Sequence, residues 1–378
     1  MLKQYKLKDY RFRLVAFVVA LTVIGILIVG STQESLQSRQ AMGMFAGLFV
    51  MVVASLIDYN LLLKFRRIFY LMIVVLLGLV LVPGVGNTVG GATRWILIGG
   101  EGGFQFQPSE LCKILLILFF AAFFMKYKDT LNTWKMLILS VILIGIPLAL
   151  ILAQPNLSTS IIIAILFIAM IFVAGLSYKI VLGCLAVGIP AAVVSIILML
   201  KEKFPLLRPY QYLRILSWLN PEKYPDDARQ QQNSIIAIGS GQLWGKGLNN
   251  SSYTSLKNAN YVSEDQTDFI FTVIGEELGF VGCLIVIILI LLIVFECIWI
   301  AKNARDLGGR LIASGVAALI GFQSFVNIGV TTGLLPNTGV PLPFVSYGLT
   351  SMVSMYIGIG LVLNVGLQAR KYGSGDDF

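Results

Sequence analysis

The sequence contains no histidine. That excludes Ser-His and Cys-His nucleophiles, histidine-ligated zinc and an imidazole proton shuttle, leaving acid–base chemistry to Asp, Glu, Lys, Tyr or water. Charge is scarce as well: only 12% of residues are charged, against 57% hydrophobic. The four cysteines (Cys112, Cys184, Cys283, Cys297) lie in or beside apolar runs, with neither a disulfide framework nor a CxxC metal pair. A GxxxxGK[ST] phosphate loop is missing. So is an internal repeat, which removes the inverted-repeat signature of many transporters.

What is present is apolar sequence in excess of what a soluble protein of this length could bury. It recurs in runs of about 20 residues, which suits membrane helices rather than the shorter alternating strands of a barrel. The fold expected is an all-α integral membrane protein, a polytopic bundle of about ten transmembrane helices. The spans fall at Phe12–Gly30, Ala41–Ile57, Ile68–Val82, Leu111–Met125, Met136–Ala153, Ser160–Gly175, Ile180–Leu200, Phe269–Ile300, Leu311–Gly333 and Leu349–Gly366. Residues 1–378 read as one membrane domain, with a large extracellular loop, 201–268, between the seventh and eighth spans. The first span is long for a signal peptide and lacks a nearby cleavage site, so it reads as a retained helix.

Lysine and arginine set the orientation. Lys3, Lys6, Lys8, Arg11 and Arg13, then Lys64, Arg66 and Arg67, Lys126, Lys128 and Lys135, Lys302, Arg305 and Arg310, and Arg370 and Lys371 fall on every second connection. Both termini are therefore expected in the cytoplasm. The net charge of +9 is accounted for by topology, and nucleic acid is not expected as a partner. The irregular sequence gathers on the other face, and the aromatics of the long loop suit short interfacial helices there.

Five stretches on that outer face carry candidate chemistry. In Gly90–Trp95 and Phe104–Lys113, Pro108 suits a first helical turn with Gln107 or a neighbour as cap, and Glu110 and Lys113 share a helix face. Two readings are open: an anion site made by Arg94 and Lys113 with Trp95 packing on a lipid or sugar, or an interfacial anchor beside a structural ion pair. Gln154–Thr159 is a turn in which Asn156 or Ser158 can cap the next helix. Arg208–Arg214, Asn220-Pro221 and Gln230–Gly247, glycine-rich toward its end, could offer charge and backbone N–H groups to phosphate. Asn327–Gly348 holds three prolines and repeated glycines, so it must be buried in protein or line a wet cavity. Finally, Tyr261–Asp268, with its carboxylate cluster, runs into an apolar span that itself holds Glu276 and Glu277. There Asp268, beside Thr267 and a helix start, is either a helix cap or an ionised general base, and the two glutamates are functional candidates or partners in structural pairs.

The ordered motifs GATRW, FQPSELCK, QPNLST, IAIGSGQLWGKG, EDQTDFIFTVIGEELGFVG and TGLLPNTGVPLPFVSYG, on ten spans, closely resemble the SEDS family of RodA, FtsW and SpoVE. The likeness covers nearly the whole chain, and the short termini and GATRW loop look more like the RodA type. It implies a peptidoglycan glycosyltransferase that polymerises lipid II at the outer face of the bacterial cytoplasmic membrane and releases undecaprenyl pyrophosphate. It also implies a class B penicillin-binding protein, a transpeptidase, as partner, among other elongation or division proteins. The family's essential aspartate falls on Asp268 and its functional tryptophan on Trp95. Arg94, Glu110, Lys113, Arg208 and Arg214 become candidates for substrate binding. Gln107, Ser109, Gln154, Asn156, Thr267, Glu276 and Ser346 become candidates for the cavity lining. A divalent cation (Mg2+ or Mn2+) is an optional companion of the pyrophosphate, and no protein-held metal is expected from spacing. This chain departs from the family at Asn156, where QPDLGT is usual, and at Leu349, where SYGGSS is usual. A translocase for the lipid-linked precursor is the alternative function, and a non-catalytic scaffold a third.

Overall fold

The computed structural model describes residues 10–89, 92–99, 104–183, 186, 190, 194, 209–249 and 265–369. The helices are α1 (Phe12–Thr32), α2 (Glu34–Leu56), α3 (Tyr59–Lys64), α4 (Arg66–Val80), α5 (Pro108–Lys126), α6 (Trp134–Ala153), α7 (Leu157–Val173), α8 (Pro209–Leu219), α9 (Pro225–Ser240), α10 (Ile270–Lys302), α11 (Leu307–Thr331) and α12 (Leu349–Ala369). Seven of these are long and apolar enough to cross a membrane. The shorter α4 and α7 match two more of the expected spans. Most of the seventh, Ile180–Leu200, lies outside the described residues.

Helices α5, α11 and α12 form the centre. In α5, Cys112 through Phe124 are all buried, as a helix apolar on every side must be. The outer helices show the opposite pattern. Met42, Phe45, Phe49, Val52 and Leu56 stand exposed along one face of α2, and Leu284, Ile288, Leu291 and Ile298 along α10. Each such side chain would cost about 2 kcal/mol in water relative to an apolar medium, so hydrocarbon is the solvent these faces require.

The connections sort into two ends. Lys64, Arg66, Arg67, Lys126, Lys128, Lys302 and Arg305 share one end, where Tyr59 donates to Asp306 Oδ2 at 3.1 Å and closes the bundle. The other end collects α8, α9, the 333–348 loop and one element within the stretch expected to be irregular. There β1 (Gly86–Val89), β2 (Ala92–Ile98) and β3 (Phe104–Phe106) form a small antiparallel sheet. Trp95 lies in its central strand opposite Asn87.

Helix α10 is broken at Gly279 (φ 67°, ψ −163°), a conformation essentially restricted to glycine. The backbone groups freed by the break are exchanged with the glycine-rich turn after α9. Phe280 and Val281 donate N–H to Gln242 O (2.8 Å) and Leu243 O (3.2 Å). The carbonyls of Glu276 and Glu277, their partners in an unbroken helix, accept instead from Lys246 (2.9 Å) and Gly247 (3.0 Å). Four backbone groups are thus satisfied across the chain, as apolar surroundings require.

Candidate active site around Asp268

Asp268 is half-buried in the turn that precedes α10. The helix begins at Ile270, with Phe269 in the cap position and no side-chain cap bond from that residue, so Asp268 stands one residue ahead of the cap. Its position comes from contacts with the 333–348 loop. Asn327 Nδ2 of α11 donates to Asp268 O and to Val340 O, both at 2.7 Å. Ser346 Oγ donates to Thr267 O at 2.5 Å and accepts from Leu342 N–H at 2.7 Å, while Tyr347 N–H reaches Gln266 O at 2.9 Å. Gly339 has φ +72°, and a Cβ there would lie 3.0 Å from Asp268 Oδ2. The carboxylate is therefore set directly against a stretch of main chain.

That stretch is a meeting point. Thr338 O accepts from Ser158 Oγ at the start of α7 and from Arg214 Nη1 of α8 (3.4 Å). Arg94 Nη2 of β2 donates to Pro155 O, which ties the sheet to the same turn. Asn337 Nδ2 donates to Gln230 Oε1 at 3.1 Å, Gln231 Nε2 to both Val330 O and Leu335 O at 2.7 Å, and Trp218 Nε1 to Gly333 O at 2.8 Å. Four of the five stretches singled out in the sequence thus converge through bonded neighbours on Thr338–Gly339.

A second polar layer lies beneath. Glu110 and Lys113 pair at 2.8 Å, as their i,i+3 spacing predicts, and each is 2% exposed. Lys113 also donates to Gln323 Oε1 at 2.8 Å, and Gln323 Nε2 donates to Pro341 O at 3.0 Å. Both members of the pair, named as substrate-binding candidates, lie inside the wall, where each neutralises the other. Ser109 beside them is also buried, and Gln107 caps α5 through its backbone only, its N–H reaching Thr350 Oγ1 at 3.3 Å.

Other expectations resolve toward structure. Gln154 is buried and donates to Leu77 O at 2.8 Å, and Asn156 caps α7 by accepting from Thr159 N–H at 3.2 Å. Gln154 Nε2 and Asn156 Oδ1, two of the expected cavity-lining groups, are thus committed to backbone. Glu276 pairs with Lys246 at 2.8 Å, and Ser31 Oγ donates to Glu277 Oε1. The glycine-rich turn does not serve as a phosphate cradle, because the N–H groups of Lys246 and Gly247 are spent on the broken helix. Arg208 lies outside the described residues. Gln323 is absent from the sequence candidates and Asn327 enters only as the first residue of the Asn327–Gly348 stretch, although two amides four apart in an apolar helix are an intramembrane polar signal.

The family model described as cell cycle protein, covering FtsW, RodA and SpoVE, matches residues 9–371. The chain is 34% identical to a probable peptidoglycan glycosyltransferase FtsW of Geobacter sp. (strain M18), covering 97% of this chain and 99% of the relative. It is 36% identical to the peptidoglycan glycosyltransferase MrdB of Escherichia coli (strain K12), covering 92% and 90%. Stage V sporulation protein E of Bacillus subtilis (strain 168) matches at 33%, covering 94% and 97%. Among solved structures, RodA of Thermus thermophilus aligns with TM-score 0.68 and 28% identity over 94% of this chain and 96% of that one. A chain from a structure described as a peptidoglycan synthase complex coordinating polymerization and crosslinking aligns with TM-score 0.76 and 29% identity, covering 96% and 98%. Together with the matching motifs and the helical bundle, these likenesses place the chain in one group: it is a member of the FtsW, RodA and SpoVE family of polytopic membrane proteins.

Proposed function

We propose that the protein is a peptidoglycan glycosyltransferase that polymerises lipid II, with Asp268 as general base. The observation that carries the reading is the convergence of Asp268, Arg214, Ser158 and the 333–348 loop on Thr338–Gly339 at one end of the bundle. Relatives named peptidoglycan glycosyltransferase support the reaction class.

Two lipid-linked disaccharides bind with their tails in the bilayer. Asp268 takes the proton of the acceptor N-acetylglucosamine 4-hydroxyl, whose oxygen forms a bond to the anomeric carbon of the donor N-acetylmuramic acid. The bond from that carbon to the pyrophosphate oxygen breaks, undecaprenyl pyrophosphate leaves, and the centre inverts. A base half-buried beside backbone is suited to this step, since its carboxylate is oriented before the substrate arrives. The departing pyrophosphate carries the difficult charge. Arg94, bonded to Pro155 O, and Arg214, bonded to Thr338 O, are the cations we assign to it, with Arg208 a further candidate and Trp95 of β2 packing on lipid or sugar. Lys113 contributes from inside the wall. Among the described residues no group of three carboxylate or thiol side chains could hold a metal ion. An Mg2+ or Mn2+ ion, where one takes part, is therefore assigned to the pyrophosphate rather than to the described residues.

The Asp268 end is assigned to the outer face of the bacterial cytoplasmic membrane, with both termini in the cytoplasm. The gathering of lysine and arginine at the opposite end supports this. The partner proposed is a class B penicillin-binding protein that crosslinks the new strand, within an elongation or division complex. The likeness to a chain from a synthase complex supports it. The RodA type is favoured by the GATRW motif, whose Ala92–Trp95 lie in β2, although relatives of three kinds match at 33–36% identity. The test is reconstitution: purified protein given lipid II, without a membrane gradient, should yield glycan polymer. Transfer of lipid II across the bilayer with no polymer would identify a translocase instead.

A further inference from the structure

Resting on the reading of Asp268 as the base, we propose that Asn327 is the residue that positions it. Asn327 is 1% exposed in the last two turns of α11. Both bonds of its Nδ2 go to backbone carbonyls, Asp268 O and Val340 O, each at 2.7 Å. The amide orientation follows from this, because its carbonyl oxygen turned toward those acceptors would repel them. The consequence is that Oδ1 is buried with no hydrogen-bond partner among the described residues. An amide that spends both N–H bonds on carbonyls of two separate segments acts as a constraint between them.

The constraint is the relation between the two carbonyls. Asp268 stands two residues before α10, so the helical ladder does not fix its main chain. Val340 directly follows Gly339, whose backbone the Asp268 carboxylate faces. One amide therefore sets the spacing between the base and the wall it lies against. Gln323, one turn back on the same face of α11, holds the next carbonyl, Pro341 O, and continues to Lys113. The pair forms a ladder from the buried Glu110–Lys113 layer up to the base, with Asn327 as its top rung.

The test uses the full-length protein in proteoliposomes supplied with lipid II. Asn327→Leu, which keeps the bulk and removes the donor, should lower kcat about 10- to 100-fold, the effect of misplacing a reacting group by about 1 Å. KM for lipid II should stay within about twofold, since substrate binding is not touched. Asn327→Asp keeps the shape and regains a donor only when protonated. Its rate relative to wild type should therefore climb as pH falls from about 9 to about 6, a response that general loss of structure would not produce. Should the leucine variant fail to fold, the aspartate variant still decides. A wild-type kcat in Asn327→Leu, or a pH-independent deficit in Asn327→Asp, overturns the proposal. Asp268→Asn measured alongside separates the claims: if it still polymerises, the base reading fails. If it is inert while both Asn327 variants match wild type, only the positioning role fails.

Discussion

The Glu110–Lys113 pair shows how far residue identity alone leads at this site. Its spacing predicts the 2.8 Å contact, and the contact is there. The 2% exposure of each partner was not legible, because burial depends on α11 and on Gln323 from a distant part of the chain. A charge pair in such a place is costly to split. Lys113→Met alone should destabilise the protein by about 3–5 kcal/mol, leaving Glu110 buried without its cation. Glu110→Met with Lys113→Met should recover much of that loss, because no charge then remains inside. Melting temperatures of the purified single and double variants check this, and an equal loss in both would contradict it. Asp268 stands out in sequence for the same reason the pair does: a carboxylate at an apolar boundary has few inert explanations. The role of Asn327 was missed because it lies in what the residue holds, and its partners are 59 and 13 residues away.

At the scale of elements, local chemistry was readable where it acts within one turn. Pro108 opens α5 and Asn156 caps α7 as their residue types predict. The small sheet was not readable, since its strands are short and sit in a glycine-rich stretch that reads as loop. The start of α10 lies at Ile270, one residue beyond the expected Phe269, which takes the cap position itself. The break at Gly279 gave no signal, as glycine is common in membrane helices. It depends on a turn more than thirty residues earlier in the chain, and the two form one unit. Gly279→Ala would place a Cβ 2.3 Å from Gly245 N at a φ of +67°. The backbone strain alone costs about 1–3 kcal/mol. The variant should melt at lower temperature than wild type, with proteolysis appearing first in the Gly241–Gly247 turn. An unchanged melting curve would show that the clasp is not tight.

Over the whole molecule, the apolar runs and the charge pattern specified the bundle, because both report the solvent rather than a particular contact. Nine of the expected spans correspond to described helices, and the lysines and arginines of alternate connections share one end. How the loops at the other end interlock was beyond the sequence, since prolines and glycines say only that helix is forbidden there. Orientation in the membrane can be tested directly. Glu222 and Lys128 are exposed at opposite ends of the bundle. A cysteine replacing Glu222 should react with a membrane-impermeant thiol reagent in intact cells, and one replacing Lys128 only after permeabilisation. The reverse pattern would place Asp268 in the cytoplasm and remove access to an outward-facing saccharide. The most direct test of the catalytic claim is lipid II polymerisation by purified Asp268→Asn protein, compared with wild type at equal lipid occupancy. The account predicts bound lipid and no polymer, because volume is kept and only basicity is lost; polymer formed at the wild-type rate would contradict it.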